Sequence, residues 1–156
     1  MITLLDWNKW RFPGGDAWSD WHALEPATIE ALAVKPGAYV VGLPESFGSL
    51  RRLLAADEHG LLDVGESGEL RTRLRHLFRC ATVKGQRGHM AGWRLGTGGL
   101  VDKLGITAQE LRISWCYAED GSDEEAYRLE GTILQSYFDL FGELPPLNYK
   151  FNWSGT

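Results

Sequence analysis

The chain has 156 residues, of which 44% are hydrophobic and 24% are charged, and its formal net charge is −5 at pH 7. This length and composition predict one globular domain with a substantial core. The sequence has no apolar run long enough for a membrane span, and its first residues lack the pattern of a signal peptide, so we expect a cytoplasmic protein with no membrane partner. Cys80 and Cys116 have no metal-binding spacing, which excludes a zinc site and a disulfide framework and predicts free thiols.

The start of the chain is rich in tryptophan: Trp7, Trp10, Trp18 and Trp21 are four of the seven in the sequence. Each pair has i, i+3 spacing, which is compatible with a short helical turn that places both indoles on one surface. Three roles fit this pattern: an aromatic lid over the core, which we favour, a homodimer contact, or a platform on which bases stack. We therefore divide the chain into an N-terminal extension, residues 1–35, that packs on a domain of residues 36–156.

The next part of the chain has the signals of a small sheet. Residues 28–34 predict a brief helix, and strands are predicted over residues 38–43, 61–64 and 111–117, which are bounded by Gly or Pro or are rich in β-branched and aromatic residues. Residues 50–54 predict a helical turn. The second strand is expected to break at Gly65, which would leave N–H groups at the start of the following helix free to bind an anion such as phosphate.

A basic amphipathic helix follows Gly65. Leu70, Leu74 and Leu77 have the spacing of one buried stripe, and Arg73 falls at the edge of that stripe, so its guanidinium is expected to lie along the sheet. Residues 70–101 contain seven Lys or Arg and no Asp or Glu, which favours a polyanion docking on one face; a solvated helix face is the alternative. The candidate nucleic-acid contacts here are Arg71, Arg75, Arg79, Lys84, Arg87, His89 and Arg94.

Two further stretches complete the chain. Residues 82–99 are rich in glycine and predict a flexible loop that closes on a ligand. The last helix is predicted to begin at a capping box, Ser122 with Glu125, and to stop at Gly142. Glu130 falls near the middle of its apolar face, where a carboxylate needs an arginine, a network of donors or a metal ion. A structural Glu–Arg pair is the alternative to a functional role.

The chain resembles the GIY-YIG nuclease domain over about residues 36–149. The resemblance is carried, in chain order, by Gly37-Ala38-Tyr39, Asp63-Val64-Gly65, Arg73, Glu130 and the segment Phe141-Gly142-Glu143-Leu144-Pro145-Pro146-Leu147-Asn148. It implies an α/β (α+β) fold, with a three-stranded antiparallel sheet flanked by helices, and metal-dependent hydrolysis of phosphodiesters.

The resemblance also implies roles for individual residues. Glu130 would hold a single Mg²⁺ or Mn²⁺, Arg73 would contact the scissile phosphate, and Tyr39 would orient or deprotonate the attacking water. Asn148 matches the family's asparagine near the metal and is a candidate nucleic-acid contact. His76 lies one place earlier than the histidine that some members use.

Asp63 departs from the family pattern, because the second motif normally begins with tyrosine. Three outcomes are open: Tyr39 alone suffices, Asp63 becomes a base or a second metal ligand, or hydrolysis is lost and a binding fold remains. Glu66 also replaces a residue that is basic in some members. The sequence therefore predicts a metal-dependent endonuclease that acts on DNA in preference to RNA. The alternative is a catalytically attenuated module that binds nucleic acid.

Overall fold

A computed structural model describes residues 18–153 of the chain. The strands in this part of the chain are β1 (His22–Ala23), β2 (Gly37–Gly42), β3 (Leu50–Arg51), β4 (Ala56–Asp57), β5 (Leu61–Ser67) and β6 (Arg112–Tyr117). The α-helices are α1 (Pro26–Glu30), α2 (Leu70–Thr82), α3 (Met90–Leu95), α4 (Leu100–Leu104) and α5 (Asp123–Phe141). The predicted α+β class is confirmed. Within residues 18–153, no helix is both long enough and apolar enough to cross a membrane.

The main sheet has the strand order β1-β6-β2-β5, and every neighbouring pair is antiparallel. It has four strands rather than the predicted three, because His22 and Ala23 pair with the start of β6. Strands β3 and β4 form a separate hairpin. Strand β5 is therefore an edge of the main sheet, and its outer backbone groups need partners from elsewhere in the chain.

Strand β2 distributes its side chains between two cores. Ala38 and Val40 belong to the cluster that packs on α5, whereas Tyr39 and Val41 belong to the cluster that packs on α2 and α3. This alternation is the ordinary consequence of the period of two in a strand. Tyr39 consequently lies on the side of the sheet opposite to α5, and a residue of α5 can approach it only around the edge strand β5.

Both long helices follow the predicted patterns. Helix α2 buries Leu70, Leu74 and Leu77 as one stripe. In α5 the Ser122 hydroxyl accepts the Glu125 N–H, and the helix ends at Gly142, whose φ of 76° suits glycine. A brief helix also forms before Lys35, but it is α1 at Pro26–Glu30 rather than at the predicted residues 28–34.

The predicted break at Gly65 is wrong. Strand β5 continues to Ser67, because Gly65 is paired with Tyr39 across the sheet. Helix α2 begins only at Leu70, whose N–H donates to the Lys35 carbonyl at 3.0 Å, and its N-cap residue is Glu69. The glycine turn that would have offered free N–H groups to a phosphate is therefore absent at this point of the described chain.

The helical turn predicted over residues 50–54 is also wrong, since Leu50 and Arg51 pair with Asp57 and Ala56 in the hairpin. The fully buried Asp57 carboxylate organises this region. Its oxygens accept the N–H groups of His59, Gly60 and Leu61 and the hydroxyl of Tyr137, at 2.8–3.1 Å. These hydrogen bonds and the pairing of β3 with β4 outweigh the local helical preference of the leucines and arginines.

The glycine-rich stretch is not the flexible loop that was predicted, because residues 90–95 form α3. A Cβ atom at Gly92 would lie 2.6 Å from the Leu77 carbonyl oxygen, and one at Gly96 would overlap the Cys80 carbonyl oxygen. These glycines therefore permit close packing of α3 against α2 rather than mobility.

The second tryptophan pair does not form a helical turn. Trp18 is buried, and its backbone forms an isolated antiparallel β-bridge with Cys116 in β6. The Arg112 guanidinium lies 4.8 Å from the centre of the Trp21 ring. Trp7 and Trp10 lie outside the described residues. The division into an extension and a domain, and the homodimer contact, stay predictions. Cys80 and Cys116 are free thiols, as predicted.

Candidate functional site

A cleft of about 310 Å³ lies beside the edge strand β5, between that strand, α2, α5 and the chain segment 147–152. Its polar lining residues are Tyr39, Asp63, Glu66, Arg73, His89, Tyr127, Glu130, Asn148, Tyr149, Lys150 and Asn152. Four of the five predicted catalytic residues therefore line one cavity. The fifth, His76, is exposed on α2 and does not line the cleft.

Tyr39 lies across Gly65 in the adjacent strand. Its ring is only 1% exposed, and a Cβ atom at Gly65 would overlap the Tyr39 hydroxyl and Cζ. Any residue larger than glycine at this position would displace the phenol. The glycine of the second motif therefore fixes where the tyrosine of the first motif can lie.

Gly65→Ala is expected to lower the free energy of unfolding by about 2 kcal/mol, because the added methyl group overpacks the Tyr39 ring. Denaturant unfolding measures this effect. In a Tyr39→Ala background the same methyl group has room, so there the change should fall to about 0.5 kcal/mol or less. An equal loss of stability in both backgrounds would show that Gly65 is needed for some other reason.

His89 fixes the position of the Tyr39 hydroxyl by a hydrogen bond. The two side chains are hydrogen-bonded, with 2.7 Å between the Tyr39 Oη and the His89 Nε2, and the His89 Nδ1 accepts the Gly92 N–H at the start of α3. Because Nδ1 is an acceptor, Nε2 carries the proton and donates it to Oη. Burial and the positive charge of Arg73 lower the pKa of His89 to about 3, so the imidazole is neutral.

This arrangement changes the role of His89. The sequence placed it among surface contacts to nucleic acid, but the side chain is 3% exposed and carries no charge. Burial and the nearby Asp63 raise the pKa of Tyr39 well above its ordinary value, so the phenol keeps its proton at neutral pH. The Tyr39 oxygen accepts a hydrogen bond from His89, so its own hydroxyl proton is available for a further hydrogen bond.

Three carboxylates, those of Asp63, Glu66 and Glu130, line the cleft. Burial and the charge of Glu130 raise the pKa of Asp63 to about 7. Burial likewise raises the pKa of Glu130 to about 7, with a further contribution from Glu66, and it raises the pKa of Glu66 itself. Arg73 opposes each shift without cancelling it. The cleft is therefore not the uniformly basic surface expected for a phosphate site, and it favours a cation.

Glu130 reaches the cleft from α5. Its Oε1 accepts a hydrogen bond of 3.0 Å from the Asn152 side chain, which also donates to the Tyr127 carbonyl. No ion pair of residues 18–153 includes Glu130, so the structural Glu–Arg pair is not formed. A hard divalent cation prefers carboxylate oxygens, and Mg²⁺ commonly uses one or two of them with water as the remaining ligands. The donor chemistry of Glu130 thus fits Mg²⁺ or Mn²⁺, although the described residues contain no cluster of three metal-binding side chains.

Asn148 binds the free edge of β5. Its side chain accepts the Val64 N–H at 2.9 Å and donates to the Val64 carbonyl at 2.8 Å, while the Leu147 N–H donates to the Leu62 carbonyl. The amide therefore acts as a short substitute for a neighbouring strand. It holds the segment 147–152 beside the cleft, and with it Lys150 and Asn152.

The predicted basic contacts do not all belong to one free surface. Arg73 lines the cleft and donates to the Gly88 carbonyl at 3.4 Å. Arg71 donates to the Leu32 carbonyl, and Arg94 donates to the carbonyls of Pro146 and Leu147, so both stabilise the fold. Arg75 is exposed and paired with Glu30. Arg79, Lys84 and Arg87 are exposed.

The sequence interpretation missed four polar residues of the cleft: Tyr127, Tyr149, Lys150 and Asn152. The last three follow Asn148 closely in the chain, and their order in the sequence carries no periodic signal. Their positions depend on the binding of Asn148 to the strand edge, which sequence patterns do not reveal.

No family model, no curated protein and no solved structure matches this chain. The functional argument therefore depends on the cleft itself. Its chemistry combines an arginine, a buried neutral phenol and three carboxylates whose pKa values are raised, chiefly by burial.

Proposed function

We propose that the protein is a metal-dependent endonuclease, similar to the GIY-YIG nucleases, that hydrolyses phosphodiester bonds in nucleic acid, with DNA preferred to RNA. The observation that carries the proposal is the meeting of Tyr39, Arg73 and Glu130 in one cleft, although they belong to β2, α2 and α5. Titratable groups with raised pKa values in a cleft are typical of active sites.

Arg73 binds the phosphate in this proposal. A guanidinium matches two oxygens of a phosphate at once and keeps its charge at any physiological pH. Lys150, on the other side of the cleft, adds a second positive charge. A phosphate bound at these two residues would lie in the cleft that Tyr39 and Glu130 also line.

Glu130 is the residue that would hold the metal ion. A bound Mg²⁺ or Mn²⁺ supplies positive charge that stabilises the phosphoryl oxygens and the leaving group. Asn152 fixes the orientation of the Glu130 carboxylate by its hydrogen bond to Oε1.

Tyr39 and Asp63 have different roles toward the attacking water in this proposal. Tyr39 remains a phenol, so it orients the water with its hydroxyl proton and does not remove a proton from it. Asp63 lies close enough to Tyr39 for its charge to raise the tyrosine's pKa. A carboxylate with a pKa near neutrality is suited to accept a proton from water, and we assign Asp63 this role.

One observation favours the alternative, a module that binds nucleic acid without cleaving it. Asp63, Glu66 and Glu130 repel a phosphate unless a cation offsets them, and Asp63 replaces the expected tyrosine. In that case binding would depend strongly on salt, because the exposed lysines and arginines would supply it.

Cleavage of supercoiled plasmid, single-stranded DNA and RNA with Mg²⁺, Mn²⁺ or EDTA tests the proposal. We expect DNA cleavage with either metal and none with EDTA. Arg73→Lys should lower the rate by about tenfold, because the point charge remains and the two-pronged contact is lost. Arg79→Lys, at an exposed position on the same helix, is the matched control. Salt-dependent binding without cleavage under any condition would favour the alternative.

A further inference from the structure

A second cavity, of about 490 Å³, adjoins the cleft. We call it the side pocket; it is lined by Arg87, Gly88, His89, Met90 and Trp93. His89 and Met90 line both cavities. The side pocket thus opens directly beside Tyr39, whose hydroxyl is bonded to His89.

The lining of the side pocket differs from that of the cleft. The cleft contains carboxylates and cations, whereas the side pocket has no carboxylate in its lining and adds the Trp93 indole and the Arg87 guanidinium to the Met90 thioether that both cavities share. Met90 is 56% exposed, so its thioether is accessible from solvent. An exposed Met and a half-buried Trp beside an arginine form a surface for a flat ring with apolar faces.

The two cavities are connected through Arg73. Its guanidinium lines the cleft, and it donates to the carbonyl of Gly88, which lines the side pocket. A phosphate bound by Arg73 would therefore have its attached nucleoside next to the side pocket. The cleft has aromatic side chains of its own, those of Tyr127, Tyr149 and Phe151, but the hydrogen bond of Arg73 joins it to the side pocket.

We infer that the side pocket binds an unpaired nucleobase next to the phosphate in the cleft, stacked between Trp93 and Met90. The substrate is then a single strand, or a duplex in which one base is extruded, because a paired base lies inside the helix and cannot enter a pocket. This inference rests on the proposed function for its orientation. It names the substrate class of the same site.

Binding measured without cleavage tests the inference. The probes are a fluorescent oligothymidylate of about twelve nucleotides, an abasic strand with the same number of phosphates, and the corresponding duplex, all in EDTA and read by anisotropy. The wild-type protein should bind the oligothymidylate about 5- to 100-fold more tightly than the abasic strand. It should also prefer the single strand to the duplex.

Trp93→Ala should abolish the preference for the strand with bases and leave the affinity for the abasic strand unchanged. Trp93→Phe should retain most of the preference, since a ring remains. Met90→Ser, at an exposed position that does not endanger folding, should reduce it. Trp153→Ala is the matched control, because Trp153 is an exposed tryptophan that does not line the side pocket.

The inference is overturned if the wild type binds both strands equally, if Trp93→Ala and Met90→Ser keep the preference, or if Trp153→Ala loses it to the same extent. These binding results can be distinguished from a failure of the proposed function. Base-dependent binding by a protein that cleaves nothing would support the pocket and reject the nuclease. Cleavage without any dependence on bases would do the reverse.

Discussion

Glu130→Gln is expected to lower metal-dependent cleavage by about 10³-fold or more, because the neutral amide removes the negative charge that holds the cation near the phosphate. The fold should survive, since the glutamine carbonyl can still accept the hydrogen bond from Asn152 that Glu130 accepts at 3.0 Å. Cleavage of plasmid at saturating Mg²⁺, measured for both proteins, gives the ratio.

The same substitution should make the metal-free protein more stable. The Glu130 carboxyl has a pKa of about 7 in the folded state, so at about pH 8 its ionised form is less favourable there than in the unfolded chain. A neutral side chain removes this penalty, and we expect a gain of about 2 kcal/mol in the free energy of unfolding in EDTA. Activity and stability therefore change in opposite directions.

This opposition distinguishes a functional carboxylate from a structural one. Glu124→Gln is the matched control, because Glu124 is an exposed carboxylate on the same helix; it should leave cleavage unchanged and lower the free energy of unfolding by less than about 1 kcal/mol, since Glu124 lies in the first turn, where the helix dipole favours a negative charge. Full cleavage by Glu130→Gln would end the assignment of Glu130 as metal ligand. Loss of activity together with loss of stability would instead indicate a buried carboxylate that the fold requires.

The parts of the fold that the sequence predicts correctly depend on local patterns. The stripe Leu70, Leu74 and Leu77 and the boundaries Ser122 and Gly142 are set by spacing and capping within one helix. The errors arise where contacts with residues far along the chain determine the local structure. Gly65 has the local signal of a break, yet its pairing with Tyr39 keeps it in the strand.

The glycines of α3 illustrate the same limit. A stretch that contains Gly92 and Gly96 has the composition of a flexible loop, and only the position of α2 reveals that these glycines permit a close helix contact. The composition shows that these positions have no side chain. It does not show that the backbone of α2 lies where a side chain would be.

Several residues of the candidate site could be predicted from the sequence, but the contacts and charges around them could not. The resemblance selected Tyr39, Arg73 and Glu130, and the structure brings them to one cleft. The hydrogen bond between His89 and Tyr39, and the raised pKa of Asp63 through burial and the charge of Glu130, depend on distances between residues far apart in the chain. These distances are set by the edge of β5, α3 and α5 together.

Asp63→Asn should remove most of a pH-dependent loss of stability in the metal-free protein. Burial and Glu130 raise the pKa of Asp63 from 3.8 to about 7, so the folded state binds this proton more tightly than the unfolded chain does. The resulting stability is complete below about pH 4 and is lost as the pH rises through about 7. Over this window the wild type should lose about 4 kcal/mol relative to Asp63→Asn.

Denaturant unfolding of the two proteins in EDTA, from about pH 4 to pH 8, measures this difference. Asp139→Asn, at an exposed position of α5, should follow the wild-type curve. At about pH 8, Mg²⁺ should restore part of the wild type's stability and much less of that of Glu130→Gln, because binding to the folded state alone is stabilising. Parallel pH profiles for the wild type and Asp63→Asn would mean that Asp63 is already compensated in the fold, and that it is not the group that accepts a proton from water.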